Sequence, residues 1–248
     1  MNLMDNSYFF YFLLFIVAFL YSSVGHGGAS GYLALMAIYG FAPEVMKPTA
    51  LLLNLFVAGT SFIQFYRGKH FNWKIFLPLA LASIPMAFIG GTMSIDSHIY
   101  KKILGALLLI PVARFLFLKD SRDTVQKPAN IALSIIIGAS IGLLSGMIGI
   151  GGGIILSPIL ILLHWTNQKQ TAAISALFIF VNSVGGLAGQ FSKGIQFSPS
   201  MYIYVAIAFA GGLAGAYFGS LKFSQEWLKK ILAMVLLLAS YKLLFTSA

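Results

Sequence analysis

Two clusters of glycine interrupt this chain inside otherwise apolar sequence, Gly25-His26-Gly27-Gly28-Ala29-Ser30-Gly31 and Gly149-Ile150-Gly151-Gly152-Gly153. Gly25, Gly27 and Gly28 map onto Gly149, Gly151 and Gly152 with one offset of 124 residues, the mark of a duplicated unit. Glycine is a poor helix former, and a broken helix leaves backbone N–H and C=O groups that hydrocarbon cannot satisfy. Such breaks must therefore face protein or a cavity. A matched pair of them in two hydrophobic halves is the sequence pointer to a transporter's substrate site.

The surroundings are membrane-like: 59% of the 248 residues are hydrophobic and 9% charged, against about 25% charged in a soluble domain. Mean hydropathy is +0.90. Apolar stretches near the ~20 residues that cross a bilayer cover most of the chain and leave only short loops. The net charge of +10 does not point to nucleic acid, because most Lys and Arg lie in short loops beside spans. The absence of cysteine excludes disulfides and thiolate chemistry. Met1 to Ser7 carries no basic residue and no cleavage site, so the first apolar segment is expected to stay in the mature protein.

The first repeat reads as Tyr8 to Val24, the glycine break, a short segment Gly31 to Gly40, then spans at Pro48 to Tyr66, Ile75 to Met93 and Ile99 to Phe117. The second reads as Ile131 to Ile148, the break, Ile154 to His164, then Thr171 to Phe191, Met201 to Ser220 and Trp227 to Phe245. Lys101-Lys102-Ile103-Leu104 recurs as Lys229-Lys230-Ile231-Leu232, now at an offset of 128. The division that follows is a first transmembrane repeat, 1–118, a cytoplasmic linker, 119–129, and a second repeat, 130–248. Gly90, Gly91 and the run Gly211-Gly212-Leu213-Ala214-Gly215 read as close helix–helix contacts.

Charge arbitrates the topology. If each break is the tip of a re-entrant hairpin, each repeat crosses three times and the second is inverted. Eleven of the sixteen basic residues, among them Arg67, Lys69, Lys74 and Lys127, then share one side, against Lys47, Lys101, Lys102, Lys193 and Lys242. A single crossing at each break divides them nine to seven, so the positive-inside rule favours inversion with both termini outside. A full span followed by a short returning one also fits, since Tyr8 to Val24 is long for a half-membrane helix.

All six acids fall in loops or at span ends, so no carboxylate at membrane depth relays protons or holds a cation. No HExxH or clustered His ligands appear, the GxSxG match Gly138-Ala139-Ser140-Ile141-Gly142 lies inside an apolar span, and the reading is of no enzyme, no catalytic residue, no metal and no cofactor. What remains at depth is neutral. Free N–H groups where a helix starts after a glycine turn form an anion site, aided by about half a positive charge from the helix dipole. Helices starting near Ser30 and Ile154 could converge on one small anion, whereas packing alone would need the glycines only for a tight hairpin. The candidate substrate-binding set is Gly25, His26, Gly27, Gly28, Ser30, Asn54, Gly149, Gly151, Gly152, Gly153, Ser175 and Asn182. His26 adds a donor that titrates near neutrality or, alternatively, a buried imidazole bonded to a carbonyl. Thr60, Ser61, Gln64, Ser183 and Gln190 are polar in the same spans, either as cavity lining or as interhelical hydrogen bonds. Trp73, Trp165 and Trp227 read as interface anchors.

The sequence Gly149-Ile150-Gly151-Gly152-Gly153-Ile154-Ile155-Leu156-Ser157-Pro158, with Thr171-Ala172-Ala173-Ile174-Ser175-Ala176-Leu177 in the next span, resembles the sulfite exporter TauE/SafE family. The likeness covers nearly the whole chain, including the twofold repeat, Arg67-Gly68 and Asn72-Trp73. It implies a small permease for sulfite, sulfonates or related organic anions, moving them outward across a bacterial inner membrane. The first repeat departs from the pattern: Ala29 stands for the third glycine, Ala34 for Pro158 and Leu51 for Ser175, so the two half-sites are chemically unequal.

The expectation is therefore an all-α integral membrane protein, a polytopic helical bundle of two homologous inverted repeats with glycine-broken re-entrant or short helices. Its partners are a small anionic substrate and the lipid bilayer, with no nucleic acid; a homo-oligomer is compatible with the sequence. The alternatives are a non-transporting assembly or scaffold protein, and a carrier of a cation or neutral metabolite.

Overall fold

A computed structural model describes residues 3–23, 28–117, 126–195, 198–222 and 225–246. The described residues form ten helices and no strand: α1 (Leu3–Ser23), α2 (Ala29–Ile38), α3 (Pro43–Arg67), α4 (Trp73–Thr92), α5 (Ser97–Phe117), α6 (Ile131–Ile148), α7 (Gly153–Leu162), α8 (Gln168–Phe191), α9 (Pro199–Lys222) and α10 (Gln225–Tyr241), with a π-helical turn at Lys242–Thr246. Four of them, α3, α4, α6 and α8, are long and apolar enough to cross a membrane by length and composition. Large apolar side chains such as Leu81, Ile131 and Leu238 stand exposed on the outside. In water such a surface would aggregate; in a bilayer it is the solvent-facing side.

The helix starts follow local chemistry. Asn72 caps α4 by accepting from Lys74 N at 3.0 Å, and Asn130 caps α6 through Leu133 N at 3.0 Å. Asn167 and Gln170 form a reciprocal capping box on α8. Helix α3 begins at Pro43 rather than at the expected Pro48. Pro43 occupies the first turn, where its missing N–H leaves no bond unmade, and the helix runs on through Pro48. Trp73 and Trp227 are exposed as interface anchors should be, whereas Trp165 is 5% exposed and belongs to the core.

Helix α2 folds back along α1. Phe10 stacks on Phe41 with ring centroids 5.2 Å apart, and Tyr21 bonds Ser30 near the other end. As one residue number rises the other falls, so α1 and α2 form an antiparallel hairpin. The ten residues of α2 span about 15 Å at 1.5 Å per residue, half of a ~30 Å hydrocarbon core.

Directions elsewhere can be read from the glycine contacts. A Cβ placed on Gly138, Gly142 or Gly146 of α6 would collide with the carbonyl of Leu79, Ser83 or Ala87 of α4. Both series climb by four, so α4 and α6 run parallel, their backbones touching through a GxxxGxxxG face. Gly211 and Gly215 of α9 meet the carbonyls of Phe15 and Phe19 in the same parallel sense on α1. Helix α8 runs parallel to α4, since Gly185 lies at Ile84 and Gly189 at Phe88. By contrast α3 and α8 are antiparallel: Leu51 faces Gly186, Asn54 faces Ser183 and Gly59 faces Phe180. The main contacts are reciprocal between the halves: α4 packs on α6 as α9 packs on α1, and α4 packs on α8 as α9 packs on α3.

Candidate functional site

The second glycine break is described in full. Gly149 ends α6 with φ +87°, Gly151 has φ +75°, and Gly152 caps the start of α7 with φ +78°. These left-handed conformations penalise L side chains by roughly 1–2 kcal/mol each, so only glycine turns the chain this sharply without strain. The break lies along α3: a Cβ on Gly149 would be 3.0 Å from Lys47 Cα, and one on Gly151 would be 2.7 Å from Asn54 Nδ2. Gly152 lies against Ile141 of α6 and Phe178 of α8. Gly153 is the first residue of α7, whose first-turn amides have no carbonyl ahead of them.

Of the first break, Gly25, His26 and Gly27 lie outside the described residues. Gly28 mirrors Gly152, capping α2 with φ +79°. Ser30, fully buried, shares a 2.8 Å hydrogen bond with the hydroxyl of Tyr21.

The starts of α2 and α7 border one small cavity. Gly28, Ala29 and Ser30 line it from the first break, Ile150 and Ile154 from the second, with Tyr21 and Ile179 as the remaining walls. It is small, with a cavity volume of about 10 Å³, room for about one water. The start of α2 borders this volume with Gly28, Ala29 and Ser30, and the start of α7 with Ile154. Among the described residues no acidic side chain lines it.

Around the cavity stand polar atoms without partners among the described residues: Tyr32 Oη, Ser145 Oγ, Asn54 Oδ1 and Asn182 Oδ1, each on a residue with no solvent exposure. Tyr32 lies over Gly28 and Ser145 beside Gly152. Gln190, 2% exposed, has both amide atoms unpartnered as well. Buried polar atoms left unpaired cost about 1–3 kcal/mol each, so a cluster of them at two helix starts marks a place where something else can bind. Asn54 Nδ2 donates to Ser183 Oγ at 3.3 Å, a long bond. Turning that amide costs little and exchanges its donor for its acceptor.

The candidate set separates on this geometry. Gly28 and Ser30 line the cavity; Gly151, Gly152, Gly153 and Asn54 form its second wall's support. Gly149 lies farther off, against Lys47. Ser175 is braced behind α7, sharing a 2.8 Å bond with Ser157, which also donates to Gly153 O. Asn182 donates to Phe178 O of its own helix and lies one turn from Ile179. Sequence reasoning missed Tyr21, Tyr32 and Ser145. The signal was present: Tyr21 and Ser145 are separated by the same 124 residues as the glycines.

The profile of the family described as sulfite exporter TauE/SafE matches residues 10–243. The chain is 37% identical over 238 residues to "Probable membrane transporter protein y4hK" of Sinorhizobium fredii, covering 93% of this chain and 95% of that one. It is 33% identical over 184 residues to a probable membrane transporter protein of Methanocaldococcus jannaschii, covering 70% and 68%. A third, YunE of Bacillus subtilis, named in the same way, is 25% identical over 172 residues, covering 61% and 63%. No solved structure matches the chain. A glycine-broken helical membrane bundle and these relatives lead to one assignment: the chain belongs to the sulfite exporter TauE/SafE family of membrane transporters.

Proposed function

We propose that this transporter is a permease for a small sulfur-containing or organic anion, sulfite, a sulfonate or a related oxyanion, working by alternating access across a bacterial inner membrane. The observation that carries the reading is the meeting of the α2 and α7 starts at one cavity that no carboxylate lines among the described residues. Unpaired amides, two helix dipoles and nearby hydroxyls suit an oxyanion and give a cation nothing to balance its charge. The antiparallel run of α3 and α8, and the α1–α2 hairpin of half-membrane depth, support inverted repeats whose relative rocking opens the cavity to either side. The small size of the cavity suits a closed, unloaded stage of such a cycle. Outward movement of an anion from a negative cytoplasm is electrically downhill, so a uniport needs no coupling ion.

The test is uptake of radiolabelled sulfite into proteoliposomes under an imposed potential, with methanesulfonate, acetate, sulfate and chloride as competitors. Saturable, potential-sensitive flux is expected. Absence of flux for every anion from correctly inserted protein would overturn the reading. A carrier of a neutral metabolite or cation is the second reading, favoured by the acceptor atoms Asn54 Oδ1 and Asn182 Oδ1, which have no donor among the described residues. Failure of all anions to compete for a transported neutral solute would select it.

A further inference from the structure

Lys47 enters the charge count above as one more basic residue at a span end, but the structure places it elsewhere. It is 9% exposed, in the early turns of α3, with its backbone pressed on Gly149 where the second break begins. Its Nζ lies 5.0 Å from the centroid of the Tyr100 ring. Tyr100 is itself fully buried and donates from its hydroxyl to Ile148 O, the last carbonyl of α6, at 2.9 Å. The ring thus faces the ammonium while its hydroxyl ties down the helix that leads into the break.

Among the described residues Lys47 Nζ has no hydrogen bond and no ion pair. Glu44, one turn back on α3 and exposed, acts on it only through space. Burying a cation costs several kcal/mol, and a ring face returns about 0.5–2 kcal/mol. The ring face and the through-space pull of Glu44 leave the ammonium with its three donors unused by the described residues. Asn54, whose amide touches Gly151, follows Lys47 by seven residues and lies on the same face two turns on. The second break runs along α3 from the backbone of Lys47 to the side chain of Asn54.

The other half has no such charge. At the offset of 124 Lys47 corresponds to Thr171, whose hydroxyl is bonded to Asn167 O and to Thr166 Oγ1. At these matching positions one half carries a cation and the other a satisfied hydroxyl.

We propose that Lys47 is an anion-recognition residue: its ammonium meets a small oxyanion beside the second glycine break. This rests on the anion reading above. It makes the pathway electrostatically one-sided, with Tyr100 as the positioning residue that holds the ammonium beside Ile148.

The experiment measures sulfite flux in proteoliposomes, together with thermal melting in detergent, for wild type, Lys47→Met, Lys47→Gln and Lys47→Arg. Loss of one charge-assisted contact is expected to raise the half-saturation concentration about tenfold in Lys47→Met and Lys47→Gln. Lys47→Arg should stay within about threefold of wild type, and Lys47→Met should melt no lower, because a buried charge has been replaced by an apolar chain of similar length. Half-saturation within about twofold of wild type in either neutral variant overturns the proposal. So does a lowered melting point in both neutral variants with no rescue by arginine, which makes Lys47 structural. Wild-type protein that carries no anion at all instead removes the parent reading.

Discussion

Tyr21 and Ser30 share a buried hydrogen bond of 2.8 Å between their hydroxyl oxygens, and it closes the α1–α2 hairpin just below its tip. Both groups are fully or almost fully buried, so removing one leaves the other stranded at the first turn of α2. Tyr21→Phe keeps the ring that packs on Gly31 and removes only the hydroxyl. It should lower stability by about 1–2 kcal/mol, read as an earlier melting transition in detergent, and should alter sulfite flux by changing a cavity wall.

Gly151→Ala should abolish transport in folded protein. The left-handed backbone and the 2.7 Å approach to Asn54 Nδ2 both oppose a methyl group there. The backbone term alone is about 1–2 kcal/mol. Gly194 is the control, with φ +77° and nothing within 4 Å of a Cβ. Gly194→Ala should show a similar modest loss of stability and wild-type flux. Equal flux in the two variants would count against the break as the binding site.

Asn54→Ala should leave the melting temperature within about 1 kcal/mol equivalent of wild type, because it removes a long hydrogen bond and an unpaired oxygen together. Its effect should fall on half-saturation, with a several-fold rise in proteoliposome assays. A large drop in stability with unchanged half-saturation would make Asn54 an interhelical brace.

Gly146→Leu should prevent folding. The Ala87 carbonyl occupies the place of the new side chain, and displacing it parts α4 from α6. Gly59→Ala should be accepted, since its Cβ finds only the edge of Phe180 at 3.5 Å, ordinary contact. Yield of monodisperse protein from membranes reads both outcomes.

Much of this architecture was legible in the chain itself. The span limits fall within a few residues of the helices because a bilayer demands long apolar runs and short polar gaps, a strong signal with few alternatives. The start of α3 was displaced because proline reads as a breaker, yet sits comfortably in a first turn. Whether α2 returns along α1 was left to a charge count, since the 21 residues of α1 also fit a full crossing. Only the pairing of Phe10 with Phe41 and of Tyr21 with Ser30 gives the direction.

The candidate site was legible in its glycines and less so in its side chains. Glycine breaks announce themselves by composition, whereas Tyr21 and Tyr32 sit in apolar runs where tyrosine usually marks a membrane interface. Ser175 looked available and is instead bonded to Ser157, a partner that depends on how α7 lies against α8. Lys47 could be counted from sequence, but its burial under Tyr100 depends on a contact between α3 and α5.

The two parallel crossings carry one further implication. Gly142 and Gly146 of α6 meet Ser83 and Ala87 of α4, while at the 128-residue offset those α4 positions become Gly211 and Gly215 of α9, meeting α1. At one crossing these glycines belong to the first helix of the second repeat, and at the other to its fourth. What the halves share is therefore a distance between axes, set by the combined bulk at each crossing and indifferent to which partner supplies the absence. A glycine counted alone would look dispensable in a lineage where its opposite number had shrunk. Compensating pairs across the crossing, one side growing as the other shrinks, are the trace that such a constraint leaves.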